Sequence, residues 1–112
     1  EGIYKNGVLD GPIISYYENG QVRREGIVTK NNEENGPFRS YYKNGQVKIQ
    51  GFYKDNEYDG PIRSYYENGQ IEKIGIYKDG KGNGLFIEYE ENGQVKFEGT
   101  WKDDEVIEFK EY

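Results

Sequence analysis

Apolar residues along this chain fall in short alternating runs separated by polar, turn-forming clusters. Between Pro12 and Thr29 they stand at Ile13, Ile14, Tyr16 and Tyr17, give way to Glu18-Asn19-Gly20-Gln21, and resume at Val22, Ile27 and Val28. Short runs rich in Tyr, Ile, Val and Phe, bounded by Asn, Gly, Asp and Lys, read as strands. An Asn-Gly pair between two such runs is a strong hairpin signal, because both residues accept the positive φ that a type I′ turn requires. The expected hairpin runs from strand one, about Pro12 to Glu18, through Asn19-Gly20 into strand two, about Gln21 to Thr29.

The pattern repeats. Asn-Gly recurs at Asn19-Gly20, Asn44-Gly45, Asn68-Gly69 and Asn92-Gly93, with steps of 25, 24 and 24 residues. A second glycine follows six residues later, at Gly26, Gly51, Gly75 and Gly99, and a third opens each unit at Gly11, Gly36, Gly60 and Gly84. A single repeat domain, residues 1–112, thus divides into units 11–35, 36–59, 60–83 and 84–107. Residues 1–10 are the tail of a preceding unit, since GIYKNGVLD matches GFYKDNEYD and GIYKDGKGN. Residues 108–112 are expected to form a terminal capping strand, with EVIEFKEY ending the array without a new hairpin. The array is expected to have been longer than this chain.

Two registers fit each hairpin. A two-residue turn pairs Tyr17 with Val22 and Ile13 with Gly26, placing Ile13, Tyr17, Val22 and Val28 on one face. A three-residue turn with a bulge puts Tyr16 opposite Val22 instead. The two-residue turn is the commoner connection and is the expectation. Glycine inside strand two weakens the strand unless a ring or backbone approaches closely there, so Tyr and Phe rings are its expected neighbours. The polar links TKNNEEN, KDNEYD and KDGKGN are short enough to enforce an up-and-down meander. The fold class is therefore all-β: an elongated, single-layer, twisted antiparallel meander of tandem hairpins, since one hairpin alone is marginal and stacked neighbours bury each other's faces.

Composition sharpens this picture. The chain has no His, Cys, Met or Ala, so the best helix former is absent, while 12 Tyr, 5 Phe and 1 Trp supply apolar area suited to a pleated surface. The net charge of −6 argues against nucleic acid and anionic membranes, both of which need a basic patch. No apolar run approaches the length of a membrane span, so membrane insertion is not expected. Localisation stays open between the cytoplasm and the cell surface or secreted space.

Tyr16-Tyr17-Glu18-Asn19-Gly20-Gln21-Val22, with its counterparts at 41–47, 65–71 and less fully 89–95, resembles the MORN repeat, and more closely its bacterial variant, in which this core is followed by an apolar residue and then by Gly-x-aromatic. The resemblance covers almost the whole chain. It implies an open antiparallel sheet used for protein interaction, and some bacterial members with this pattern are YwqK-type antitoxins. Eukaryotic MORN arrays are linked to phosphoinositide membranes, a role that the acidic balance here does not suit.

Candidate chemistry is sparse. Without His or Cys, and with Ser15, Ser40 and Ser64 all at one repeat position, nothing resembles a nucleophile and its base, so no catalytic residue and no cofactor are assigned and the chain is not expected to be an enzyme. Asp79, Lys81, Asn83, Gly84, Phe86 and Glu90 mimic the spacing of a calcium loop, but Lys81 stands at a ligand position and the flanking helices are missing, so no metal site is assigned either. Tyr16, Tyr41, Tyr65 and Tyr89 occur in every unit and read as structural rings. Tyr17, Tyr42 and Tyr66 give way to Glu90 in the last unit; together with Arg39 and Arg63 they form the candidate partner-contact face. The expected function is a non-catalytic module for protein–protein interaction, antitoxin-like in its narrowest form, with self-association through the sheet edges as a further expectation. The alternative is a surface or secreted carbohydrate- or cell-wall-binding module.

Overall fold

The computed structural model describes residues 2–5, 7–29 and 31–112, whose backbone forms strands joined by turns and short links, with no helix. The strands are β1 (Gly2–Lys5), β2 (Val8–Tyr16), β3 (Val22–Val28), β4 (Gly36–Tyr41), β5 (Val47–Lys54), β6 (Glu57–Tyr58), β7 (Gly60–Tyr65), β8 (Ile71–Lys78), β9 (Lys81–Tyr89), β10 (Val95–Lys102) and β11 (Glu105–Glu111). They lie in one open sheet in chain order, all pairs antiparallel, with the short β6 paired to β5 beside the main path. Cα extents of 52 × 33 × 13 Å make it an elongated, thin plate.

The Asn-Gly turns differ from the expected two-residue form. Gly20 N donates to Tyr17 O at 3.0 Å, Tyr17 N donates to Gln21 O at 2.8 Å, and Gly20 takes φ of 89° while Asn19 does not have positive φ. This is a type I turn closed by a glycine bulge, the three-residue form, and Asn19 Oδ1 fixes it by accepting Gln21 N at 2.9 Å. Tyr16 accordingly pairs with Val22. A second irregularity then skips Arg23, so that Ser15 faces Arg24 and Ile13 faces Gly26. Both registers thus hold, one on each side of the bulge, and Val22 lies with Tyr16 instead of with Ile13 and Val28. The type I′ geometry appears at the opposite edge, in the links. Asp55 and Asn56 (φ 50° and 69°), Asp79 and Gly80 (51° and 82°), and Asp103 and Asp104 (50° and 69°) make these turns. The first link is one residue longer, which accounts for the single 25-residue step. It turns through Asn32 at φ 63°, with Asn32 N on Thr29 O and Thr29 N on Glu33 O, both at 2.8 Å.

Strand alternation gives the sheet two distinct faces. On one, a row crosses the sheet in which a large residue alternates with glycine: Ile13 faces Gly26, Phe38 faces Gly51, Ile62 faces Gly75, Gly75 faces Phe86, and Gly99 faces both Phe86 and Phe109. Phe38, Ile62 and Phe86 are only 3%, 6% and 6% exposed and, with Val28, form the core among the described residues. A Cβ added at Gly99 would sit 2.6 Å from Phe86 Cζ, and one at Gly75 would sit 3.2 Å from both Trp101 and Tyr77. The glycines therefore admit Phe, Trp, Tyr and Ile side chains. Beside this row, rings follow one another across the plate: Phe38–Tyr53 at 4.4 Å, Tyr53–Tyr58 at 5.4 Å, Tyr58–Tyr77 at 5.2 Å, Tyr77–Trp101 at 5.5 Å and Trp101–Phe86 at 4.6 Å between centroids. Such contacts add to area burial, so the thin plate has an aromatic seam in place of a thick core.

The closing strand begins at Glu105, earlier than the boundary at 108. Its residues Glu108 to Tyr112 repeat Pro37 to Tyr41 in register as well as in sequence. Phe109 faces Gly99 as Phe86 faces Gly75, Lys110 faces Glu98 as Arg39 faces Glu25, and the Tyr112 hydroxyl donates to Glu98 as that of Tyr41 donates to Glu25. β11 thus occupies the first-strand position of a further unit.

Candidate interaction surface

The five residues of the candidate contact face separate into two sets. Arg39 and Arg63 lie three residues before Tyr42 and Tyr66, an odd spacing that in an extended strand sends side chains to opposite faces.

Tyr17, Tyr42 and Tyr66 are half-buried at the Asn-Gly edge, and each reaches the next unit. Their hydroxyls donate to the backbone carbonyls of Tyr41 at 2.5 Å, Tyr65 at 2.7 Å and Tyr89 at 2.6 Å. Between these turns Asn19, Asn44 and Asn68 donate Nδ2 to Lys43 O, Glu67 O and Glu91 O, each at 3.3 Å. Burial comes first, and the carboxylates Glu72 and Glu67 second, in raising the Tyr42 hydroxyl above its ordinary pKa, which keeps it protonated as a donor. Glu90 occupies this position in the fourth unit. These tyrosines brace one unit to the next.

Arg39 and Arg63 are exposed on the face opposite the aromatic seam. They belong to an unbroken cross-strand row, Glu25–Arg39–Gln50–Arg63–Ile74. Tyr41 anchors one end by donating its hydroxyl to Glu25 Oε1 at 2.6 Å, and Arg39 lies against that same hydroxyl. Gln50 Nε2 likewise donates to the Tyr65 hydroxyl at 3.0 Å. Among the described residues neither arginine has a carboxylate within 4.0 Å. A second row runs alongside, through Pro12 paired with Ile27, Pro37 with Phe52 and Pro61 with Ile76. Phe52 is 46% exposed. The two rows line an open groove of about 580 Å³ whose walls include Ile14, Ile27, Pro37, Phe52, Arg39 and Arg63. Proline cannot donate to a sheet ladder and is disfavoured in central strands. Where Pro61 stands, the pairing of β5 with the following unit breaks between Tyr58 and Arg63, yet β2 is continuous through Pro12 at the same repeat position, as β9 is through Leu85, so proline alone does not set the break.

The seam face also carries polar groups. Arg24 pairs with Glu34 at 2.6 Å and lies 5.6 Å and 5.7 Å from the ring centroids of Phe38 and Tyr53. Farther along, a cavity of about 430 Å³ is lined by Ser64, Lys73, Glu88, Tyr77 and Trp101. Residues 79–90, with their calcium-like spacing, form the Asp79-Gly80 turn and strand β9 and are not a metal loop in form.

The seam residues Tyr53, Tyr77 and Trp101 escaped the sequence reading although each ends a Gly-x-aromatic triplet. The signal was the spacing of two, which puts ring and glycine on one face. A family model, the MORN repeat variant, matches residues 9–31, 34–55, 58–79 and 83–103. The chain belongs to the MORN repeat variant family. Its four matches coincide with the four Asn-Gly hairpins, and MORN repeats build modules that mediate binding. No curated protein matches the chain. Within this MORN array the residues that brace unit to unit recur at fixed positions, while Arg39 and Arg63 are confined to the two middle units.

Proposed function

We propose that this MORN array is a non-catalytic module that binds a protein partner through the groove bearing Arg39 and Arg63. One observation supports the reading above the rest: the fold does not need these arginines. The equivalent position in the fourth unit is Ile87, in the same row of the same sheet, yet in the middle units two exposed guanidinium groups stand over a proline- and phenylalanine-lined groove. Arginine beside exposed aromatic surface is a common source of interface energy. An acidic chain without a basic cluster is a poor match for nucleic acid, and no described helix is long and apolar enough to cross a membrane.

Affinity capture from a lysate of the source cell tests the proposal. A specific protein should be retained by the wild-type chain and by Tyr66→Phe, and lost with the double variant Arg39→Glu, Arg63→Glu. Equal retention by the double variant would overturn the reading. If the ring edges of Tyr17, Tyr42 and Tyr66 also touch the partner, Phe at those positions should preserve capture. An antitoxin role adds one requirement, that the captured protein arrest growth when expressed alone.

The cavity on the seam face favours a second reading, carbohydrate binding, because rings beside Ser64, Lys73 and Glu88 suit a sugar. Retention on a glycan array that survives Lys73→Ala and Glu88→Ala would remove it.

A further inference from the structure

The Arg39–Arg63 groove has a spacing that selects among ligand conformations. Successive units repeat every two strands, which at about 4.8 Å per strand places equivalent side chains about 9.6 Å apart across the sheet. A polyproline II helix presents the same face every three residues at about 3.1 Å each, or about 9.3 Å. An extended strand returns to one face after only about 6.7 Å, and an α-helix after seven residues at about 10.5 Å. The row of Glu25, Arg39, Gln50 and Arg63 lies in the paired part of the sheet ladder, so a ligand lying across the strands there gains little from offering its own backbone groups. Polyproline II has no internal hydrogen bonds and a solvated backbone, and it arrives already ordered, which lowers the entropy lost on binding.

The chemistry of the two rows fixes what such a ligand carries. Arg39 and Arg63 have no carboxylate within 4.0 Å among the described residues, in a chain of net charge −6. An incoming acid would complete both. The parallel row of Pro12, Ile27, Pro37, Phe52 and Pro61 has the same two-strand period and is apolar. Glu25 closes the arginine row at one end and repels a third acid there, so the row also sets how far the acidic positions extend.

Resting on the protein-binding reading above, we infer that the groove takes an acidic segment in the polyproline II conformation, laid across the strands, with a carboxylate at every third residue facing Arg39 and Arg63 and an apolar neighbour on the proline–phenylalanine row.

Fluorescence anisotropy on the full chain tests this with a labelled peptide of five Glu-Pro-Pro triplets. Two controls are a peptide of the same composition with its glutamates placed at every second residue in one block, and a peptide of five Lys-Pro-Pro triplets. The Glu-Pro-Pro peptide should bind saturably, at least about tenfold more tightly than the block peptide, and the lysine peptide should not bind. The double variant Arg39→Ala, Arg63→Ala should weaken binding by at least about tenfold, as expected for loss of charge-assisted contacts. Phe52→Ser should weaken it by a smaller factor, and both variants should keep the wild-type circular dichroism spectrum. Equal binding of the block peptide, indifference to the arginine substitutions, or absence of saturable binding would each overturn the inference. Capture of a cellular protein that depends on the arginines, with no binding of the triplet peptide, would overturn this ligand and leave the protein-binding reading standing. Triplet binding with no arginine-dependent capture would do the reverse.

Discussion

The second and fourth units share one backbone and differ in what their first strands carry. Unit two has Pro37, Arg39 and Tyr42, with an interrupted ladder, exposed guanidinium and a hydroxyl tied to the next turn. Unit four has Leu85, Ile87 and Glu90, with strand β9 unbroken from Lys81 to Tyr89 and its core ring, Phe86, stacked at 4.6 Å on Trp101. One hairpin form therefore accommodates different chemistry on its first strand. The first-strand positions that differ lie on the groove face (Pro37 and Leu85, Arg39 and Ile87), at the Asn-Gly edge (Tyr42 and Glu90) and on the seam face (Ser40 and Glu88), while the large residue facing glycine is kept in both.

The widest gap between faces should appear on truncating their phenylalanines. Phe86→Ala should cost about 3–5 kcal/mol, the usual range for a buried ring, whereas Phe52→Ala, on the groove face, should cost under about 1 kcal/mol. Urea midpoints measure both, and a Phe52 variant as damaging as the Phe86 variant would erase the distinction. Glycines in one repeat position should then separate by their neighbours. Gly99→Ala forces a Cβ against the Glu108 backbone carbonyl and the Phe86 ring and should cost about 1–3 kcal/mol. Gly26→Ala, where the nearest atoms stand 3.6 Å away, should be far milder.

The brace gives a smaller contrast. Tyr42→Phe removes one hydrogen bond and should lose about 1 kcal/mol, while Glu90→Gln should leave stability unchanged. The pH dependence has a definite sign. The folded chain holds the Tyr42 proton more tightly than the unfolded chain does, through burial first and Glu72 and Glu67 second. That stabilisation is complete below the ordinary tyrosine value of about 10 and is lost as pH rises through the higher folded value. Chemical denaturation across the alkaline range should show a shallower decline for Tyr42→Phe than for the wild type. Smallest of all, Pro61→Leu should leave both the midpoint and the amide exchange between Tyr58 and Arg63 nearly unchanged, because β2 is continuous through Pro12 at the same repeat position. Markedly slower exchange there would show that this proline is what interrupts the ladder.

The hairpin array was legible in the sequence because Asn-Gly recurs at 24- or 25-residue steps and the polar links are too short for any crossover. The turn type was not, because Asn-Gly fits both a type I′ turn and a type I turn with a glycine bulge; the choice rests on Asn19 Oδ1 accepting Gln21 N. The second bulge was hidden as well. It falls at Arg23, Lys48, Glu72 and Lys96, charged residues that fit either parity. Of the candidate surface, exposure of Arg39 and Arg63 followed from their charge. That Tyr17, Tyr42 and Tyr66 reach the following unit depends on how hairpins stack, which no local pattern encodes.

The alternation of bulky residue and glycine across the plate also constrains how such a chain can change length. Deleting one strand would set Gly26 against Gly51 or Phe38 against Ile62, leaving a void in the first case and a collision in the second. Only an even number of strands can be gained or lost without penalty, so duplication or loss of whole units is the path by which descendants of this sequence can lengthen or shorten.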